Sequence, residues 1–311
     1  MIPGHRPDVI PGHRPDPKKR LVYLGTPAIG VPPLLALHEA GHDIALVISQ
    51  PDRRRGRGGS VSASPVKSAA RELGLAVSDR VDDVIDARAE LGVVVAYGRL
   101  IRPHVLTAVP MVNMHFSLLP RWRGAAPVER AILAGDTVTG VCIMDVADEL
   151  DAGDLYAVAE VPIGDTTTAD QLRTRLVDVG TNLLVDVLDG ELPEPSPQSG
   201  EITYAEKLRP EDWRLDWSEP AAVLFRWVRA GHAWTTFRGR RLRVLRARLG
   251  HVDRDSDDAL VAGRLLDGSN GVVATAAGTL QLIEVQPEGR SAMTWAAFAN
   301  GARPVDDEQL G

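Results

Sequence analysis

VNMHFSLLPRWRGAAPVERAILAGDTVTGVCIMDVADELDAGDL, residues Val112 to Leu155, places an amide, an imidazole and a Ser-Leu-Leu-Pro turn within Asn113 to Pro120. A carboxylate, Asp151, follows at the end of a second apolar run, Val141 to Val146. Asn113 and His115 lie two apart in a strand-like stretch, so their side chains leave one face while Val112 and Met114 take the other. Polar side chains at the C-terminal edge of such a strand meet ligands in open α/β sheets. An amide and an imidazole at that edge suit the polarisation of a carbonyl, and Asp151 can orient or deprotonate the imidazole.

Working outward, short apolar runs alternate with amphipathic stretches from Leu21 onward, which predicts βαβ units and a parallel sheet. Strands are expected at Leu21–Leu24, Ile44–Ile48, Gly92–Tyr97, Val112–Phe116 and Val141–Val146. Helices are expected at Ile29–Ala40, Val66–Leu73, Pro127–Ala134 and Ala169–Leu188. Gly25-Thr-Pro27 follows the first strand without a GxGxxG pattern, so a nucleotide-binding turn is not indicated there. Residues 1–20 repeat PGHRPD at Pro3–Asp8 and Pro11–Asp16 and are expected to be a disordered extension. They read as a duplicated tail or as translation from upstream of the natural start. The catalytic domain then spans 21–190, and Glu191–Gly200 opens a proline-rich linker through 207. Beyond Leu208, Arg241–Arg248, Gly263–Leu266, Val272–Thr275 and Gln281–Val285 read as short strands of a small β-barrel covering 208–311.

Composition excludes several classes. With 44% hydrophobic and 25% charged residues the chain reads as an ordinary soluble protein, and no apolar stretch is long enough to span a membrane. One cysteine, Cys142, rules out an internal disulfide and lies in a buried-strand run, so it reads as a core thiol in a cytoplasmic protein. Histidines do not join cysteines or paired carboxylates at ligand spacing, so no metal is expected. Net charge is −7, yet Arg53, Arg54, Arg55 and Arg57 crowd one glycine-rich loop. Arg238, Arg240, Arg241, Arg243, Arg246 and Arg248 crowd another segment. Each cluster is either a solvated face or a phosphate-contacting surface.

Asn113-x-His115, Ser117-Leu-Leu-Pro120, Arg121-Trp-Arg-Gly-Ala-Ala-Pro127 and Leu150-Asp-x-Gly-Asp154 together resemble the folate-dependent formyltransferase family. Ser49-Gln-Pro-Asp-Arg53, Ser64-Pro-Val-Lys67, Ala96-Tyr-Gly98, Thr203-Tyr-Ala-Glu-Lys207 and Gln286-Pro-x-Gly-Arg290 narrow the resemblance to its methionyl-tRNA-acting members. It covers nearly everything from Leu21 to about Arg303. It implies a Rossmann-like parallel-sheet domain followed by an OB-like barrel, and formyl transfer from 10-formyltetrahydrofolate to the α-amine of initiator methionyl-tRNA. It implies Asn113, His115 and Asp151 as catalytic, with Asn113 and a ring N–H of His115 donating to the formyl oxygen and Asp151 relaying a proton. It places folate along Ser117, Leu118, Leu119 and Pro120 and against Tyr97 and Gly98. It gives tRNA contacts to Arg53, Arg54, Arg55, Arg57, Lys67, Arg241 and Arg243 in what is expected to be a monomer. The stretch from Val77 to Gly92 is short for the family, and Asp148-Glu149 stands where a glycine is usual. A formyltransferase acting on a small amine would share Asn113, His115 and Asp151 without needing the arginine loop or the barrel. A tRNA-binding protein with a vestigial catalytic domain is disfavoured by that intact trio.

Overall fold

Leu21 to Leu24 are fully buried, as an apolar run without alternation must be when a strand is covered on both faces. The run is the middle of β1 (Arg20–Gly25) in a computed structural model that describes residues 18–55, 60–250 and 261–311. The chain divides into two compact units after Met114: the first also takes Thr181–Pro195, and the second is His115–Gly180 with Ser196–Gly311.

In the first unit β1 is followed by α1 (Val31–Glu39), β2 (Asp43–Ile48), the hairpin β3 (Arg53–Arg55) and β4 (Ser60–Ser62), and α2 (Pro65–Glu72). Then come β5 (Val77–Ser78), β6 (Leu91–Val95), α3 (Pro103–Ala108) and β7 (Met111–His115), whose last residue opens the second unit. Strands β7, β6, β1, β2 and β5 lie in that order, every pair parallel. The first helix does not begin at Ile29. Ala28–Gly30 form a 3-10 turn and α1 starts at Val31 with proline in its first turn, where no N–H is needed. Strand β6 stops two residues before the expected Tyr97, because Ala96 takes a left-handed φ of 48° and breaks the extended path. Val81–Ala87 form a 3-10 helix within the short 77–92 stretch. Lys19 already belongs to the fold, donating to the Leu188 carbonyl oxygen at 3.0 Å, while residues 1–17, and with them both PGHRPD repeats, lie outside the described residues.

The second unit runs through β8 (Arg123–Gly124), α4 (Pro127–Ala134), β9 (Val138–Asp145), β10 (Leu155–Pro162) and α5 (Ala169–Leu188), the last crossing the division. Strands β9 and β10 form an antiparallel pair. Then follow β11 (Tyr204–Ala205), α6 (Ala221–Ala230), β12 (Trp234–Phe237), β13 (Arg240–Gly250), β14 (Leu265–Asp267), β15 (Val272–Ala274), β16 (Thr279–Pro287), β17 (Met293–Thr294) and α7 (Trp295–Ala302). The predicted barrel is a curled antiparallel half-barrel, ordered β12-β13-β16-β15-β14 with β17 on β16. Gln309 and Leu310 bridge back to Arg264 and Phe237, so the chain's end ties both outer strands. Leu242 and Val244 fill the half-barrel core with Trp217, Leu224, Phe298 and Leu282, while Arg241 is exposed and Arg243 half-buried, the alternation expected of β13. Arg229 of α6 is buried and donates to the carbonyls of Gly164 and Thr167, both at 3.1 Å, so α6 is held against the turn before α5. Among the described residues no helix is long and apolar enough to cross a membrane.

Candidate active site

His115 ends β7 and is 6% exposed. Its Nε2 lies 3.0 Å from the Trp122 carbonyl oxygen, which can only accept, so Nε2 carries a hydrogen. Its Nδ1 faces Asp151 Oδ2 at 3.5 Å. Oδ2 also accepts the Gly124 N–H at 2.8 Å, which anchors the carboxylate from a second direction. Asp151 holds a left-handed φ of 49°, and Gly124 a φ of 121° that side-chain-bearing residues rarely adopt. Both ring nitrogens are thus turned toward groups of the protein. His115 was expected to donate a ring N–H to the formyl oxygen; here the Trp122 carbonyl accepts from Nε2 and Nδ1 faces the Asp151 carboxylate.

Asp151 sits in a turn closed by Asp145 N–H donating to the Asp154 carbonyl at 2.8 Å. Gly153 is packed inside that turn. A Cβ there would stand 2.0 Å from the Asp145 carbonyl oxygen, closer than any real contact. Gly153→Ala is therefore expected to lower stability by about 3 kcal/mol and to displace the Asp151 turn. Thermal melting and turnover of the variant check this, and a melting temperature and rate equal to the parent's would contradict it. Burial raises the pKa of the neighbouring Asp145 carboxyl, which accepts a hydrogen bond from Tyr156 at 3.2 Å.

The turn after His115 is held from within. Ser117 is buried, and its hydroxyl donates to the Arg121 carbonyl at 2.6 Å. The Leu119 N–H donates to Cys142 Sγ at 3.4 Å, and that thiol donates to the Ser117 carbonyl at 3.2 Å. Burial pushes the Cys142 thiol up to about 11, so it is a structural hydrogen-bonding group, as its sequence context suggested. Leu119 and Pro120 are buried, and Leu118 is the part-exposed member of the turn.

The first unit carries most of the other expected residues. Asn113 is half-buried on β7, in register with Val94, and its side-chain amide has no hydrogen-bond partner among the described residues. Tyr97 is buried, and its carbonyl accepts from Thr26 at 3.1 Å and from Gln50 Nε2 at 2.9 Å. Gly98 is exposed with a φ of 75°. Gln50 Oε1 in turn accepts from Arg53 at 2.8 Å. Lys67, expected among the tRNA contacts, is turned inward. It is 6% exposed with Nζ 2.6 Å from Asp52, because the first turn of α2 directs its side chain back onto the root of the 50–53 segment. Arg54 and Arg55 have their backbone in the β3–β4 hairpin, and Arg57 with Gly56, Gly58 and Gly59 lies outside the described residues. In the half-barrel Arg241 stacks on Trp234 at 4.3 Å and Arg243 donates to Gln286 at 3.0 Å. A pocket of about 230 Å³ is lined there by Arg238, Arg240, Arg241 and Arg290 over Phe298 and Met293.

Sequence reading missed the residues that frame Asp151 from behind. Arg123 is 5% exposed and bonds Gln198 and Glu149, while Gln198 reaches the carbonyls of Asp151 and Gly153. The expected linker is not a free tether at these positions. Leu155 and Ser196 exchange backbone hydrogen bonds, Arg123 N–H donates to the Thr203 carbonyl at 2.9 Å, and β11 pairs with β8. The one available signal was the place of Arg123 in the Arg121-Trp-Arg-Gly124 run that carries the family resemblance. Among the described residues no group of three His, Cys, Asp or Glu side chains is gathered to hold a metal ion.

Residues 19–188 match the formyl transferase family, and residues 207–303 match its C-terminal domain. A methionyl-tRNA formyltransferase of Thermobifida fusca is 43% identical over 94% of this chain and 99% of its own length. One from Heliobacterium modesticaldum is 41% identical over 91% of this chain and 97% of its own length. Among solved structures, HypX from Aquifex aeolicus in complex with tetrahydrofolic acid superposes with a TM-score of 0.64 at 15% identity. That match covers 94% of this chain and 49% of HypX.

Proposed function

The chain belongs to the formyl transferase family, and from that premise we propose that Asn113, His115 and Asp151 carry its reaction. The reaction is transfer of a formyl group from 10-formyltetrahydrofolate to the α-amine of initiator methionyl-tRNA, giving N-formylmethionyl-tRNA. The observation that carries the reading is the His115–Asp151 pair, held at 3.5 Å with Oδ2 fixed by the Gly124 N–H.

The donor set fits the cosubstrate, since the Asn113 amide is half-buried and without a partner among the described residues. Bound folate supplies an electrophilic formyl carbon and a nitrogen that leaves. The Asn113 amide donates to the formyl oxygen as negative charge gathers there, the kind of contact whose loss typically costs ~3–4 kcal/mol of barrier. Asp151 Oδ1, which has no partner among the described residues, accepts the proton that the attacking amine must lose. Oδ1 holds that proton and returns it to the departing nitrogen, so no net proton is consumed, while His115 Nδ1 lies beside Oδ2 and steadies the carboxyl group. Trp122 keeps the ring oriented by accepting at Nε2. An α-amine with a pKa near ~8 is in good part neutral at working pH, so positioning matters more than strong basicity.

Ser117, Leu118, Leu119 and Pro120, with Tyr97 and Gly98, are proposed as the folate contacts, Leu118 by its side chain and the buried members by backbone and shape. Arg53, Arg54, Arg55 and Arg57, with Arg241 and Arg243 on the half-barrel, are proposed for tRNA phosphates, where a guanidinium clasps an anion and stacks on a base. Lys67 acts at one remove, fixing Asp52 at the root of the arginine segment. We propose the domain limits 21–190 and 208–311, a monomer, and a cytoplasmic setting, where charged initiator tRNA is found.

Incubation with 10-formyltetrahydrofolate and charged initiator tRNA should yield N-formylmethionine. Turnover on an amino sugar or a free aminoacyl nucleotide should be far slower. Fast turnover on the small amines with none on charged tRNA would overturn the substrate assignment.

A further inference from the structure

We propose that Gln198, gripped by Arg123, is a positioning residue for Asp151, an inference that rests on the reading of Asp151 and His115 as the proton-handling pair. The side-chain amide of Gln198 is used on both sides. Its Nε2 donates to the carbonyl oxygens of Asp151 at 2.8 Å and Gly153 at 2.9 Å. Its Oε1 accepts from Arg123 Nε at 3.1 Å and Nη2 at 2.7 Å. Arg123 sends its remaining nitrogen, Nη1, to Glu149 Oε1 at 3.1 Å. The turn that carries Asp151 is thereby held at its entry through Glu149 and at its centre and exit through two carbonyls.

The neighbour of Arg123 completes the bracket. Gly124 sends its N–H to Asp151 Oδ2, so consecutive residues of β8 govern both the backbone of Asp151, through Gln198, and its carboxylate. Asp151 sits at a φ of 49°, which persists only where surrounding contacts over-determine it. Gln198 supplies two of those contacts. A glutamine suits the place because only a neutral amide offers two donors to carbonyls and two acceptor positions to a guanidinium. A glutamate would keep Arg123 and turn a carboxylate against the carbonyls of Asp151 and Gly153. Arg123 is buried and Gln198 half-buried, whereas the Glu149 side chain is 69% exposed, so the amide makes the better-shielded link. A shift of about 1 Å in Asp151 separates it from His115 Nδ1, and misplacements of that size can cost ~100-fold in rate.

The test uses the full chain with Gln198→Ala, Gln198→Glu, Asp151→Ala and the double variant Asp151→Ala/Gln198→Ala, assayed under single-turnover and steady-state conditions. Gln198→Ala and Gln198→Glu should each lower kcat by about 10- to 100-fold, with KM for charged tRNA and for the folate within about threefold of the parent. In the Asp151→Ala background the Gln198 substitution should bring no further loss, since its effect passes through the absent carboxylate. Equal losses from Gln198→Ala in both backgrounds would overturn the inference, as would a normal kcat in Gln198→Ala beside a disabled Asp151→Ala. A normal kcat in Asp151→Ala would instead overturn the reading of the pair itself. Arg123→Lys keeps the charge for Glu149 but drops the two-pronged hold on Gln198. It should show the same kcat loss and the same non-additivity, and it decides the matter if Gln198→Ala does not fold.

Discussion

Alanine at Asp151, His115 or Asn113 is expected to lower kcat at least ~100-fold in a protein that keeps its circular dichroism spectrum and its folate affinity. Asp151→Asn is the sharper variant. Asparagine tolerates the left-handed backbone that Asp151 occupies, and its amide oxygen can still accept the Gly124 N–H. It cannot take a proton from the attacking amine. Loss of turnover in Asp151→Asn therefore reports the relay, whereas full turnover in that variant would reduce Asp151 to a turn-closing group. His115→Ala should resemble it, because the ring touches Asp151 and the Trp122 carbonyl and supports nothing else among the described polar groups. Near-normal turnover of a folded Asn113→Ala protein would remove the oxyanion donor from the mechanism.

Joint replacement of Arg53, Arg54, Arg55 and Arg57 by alanine is expected to raise KM for charged initiator tRNA by about tenfold or more and to flatten its dependence on salt. Each lost phosphate contact removes ~0.7–0.9 from the slope of log affinity against log salt. KM for the folate stays within about twofold. Single substitutions should not be equal. Arg53 already donates to Gln50, so its loss should matter least for tRNA. An unchanged slope would return the cluster to a solvated face, and equal loss of both affinities would mean a folding defect.

The readable parts of the fold share a local cause. Helix α4 occupies Pro127–Ala134 and α5 Ala169–Leu188, the expected bounds, because proline opens α4 and Gly135 closes it in a left-handed cap. Strand β13 alternates as Arg241 to Val244 foretold. The unread parts have causes outside their own sequence. Strand β10 opens with an apolar run, Leu155 to Ala159, yet buries only Val161 of its eight residues, so its place in the sheet is not set by burial of its own sequence. Helices α6 and α7 lie among short strands, and an apolar run of modest length does not by itself separate helix from strand. The trio proposed to react could be named from sequence because Asn113 and His115 lie two apart on one strand and Asp151 falls in the Leu-Asp-x-Gly-Asp run. The bracket behind Asp151 was not, because Arg123 and Gln198 are 75 residues apart and only the fold brings them together. Lys67 looked like one more cation near a basic loop, and its enclosure with Asp52 depends on the start of α2.

The pairing of β8 with β11 joins Arg123 to Tyr204 and Gly124 to Ala205, residues far apart in order of synthesis. Contacts of such long sequence separation form late, since the intervening loop must close before they are rewarded. A chain growing from its N-terminus has made β7, His115 and Asp151 well before Gln198 and β11 exist. The nascent protein thus holds the three side chains proposed to react while the turn that carries Asp151 still lacks its outer wall, and Arg123 has no amide of Gln198 to meet. The Asp151 turn is thus complete only once the segment that leads into the half-barrel has been made.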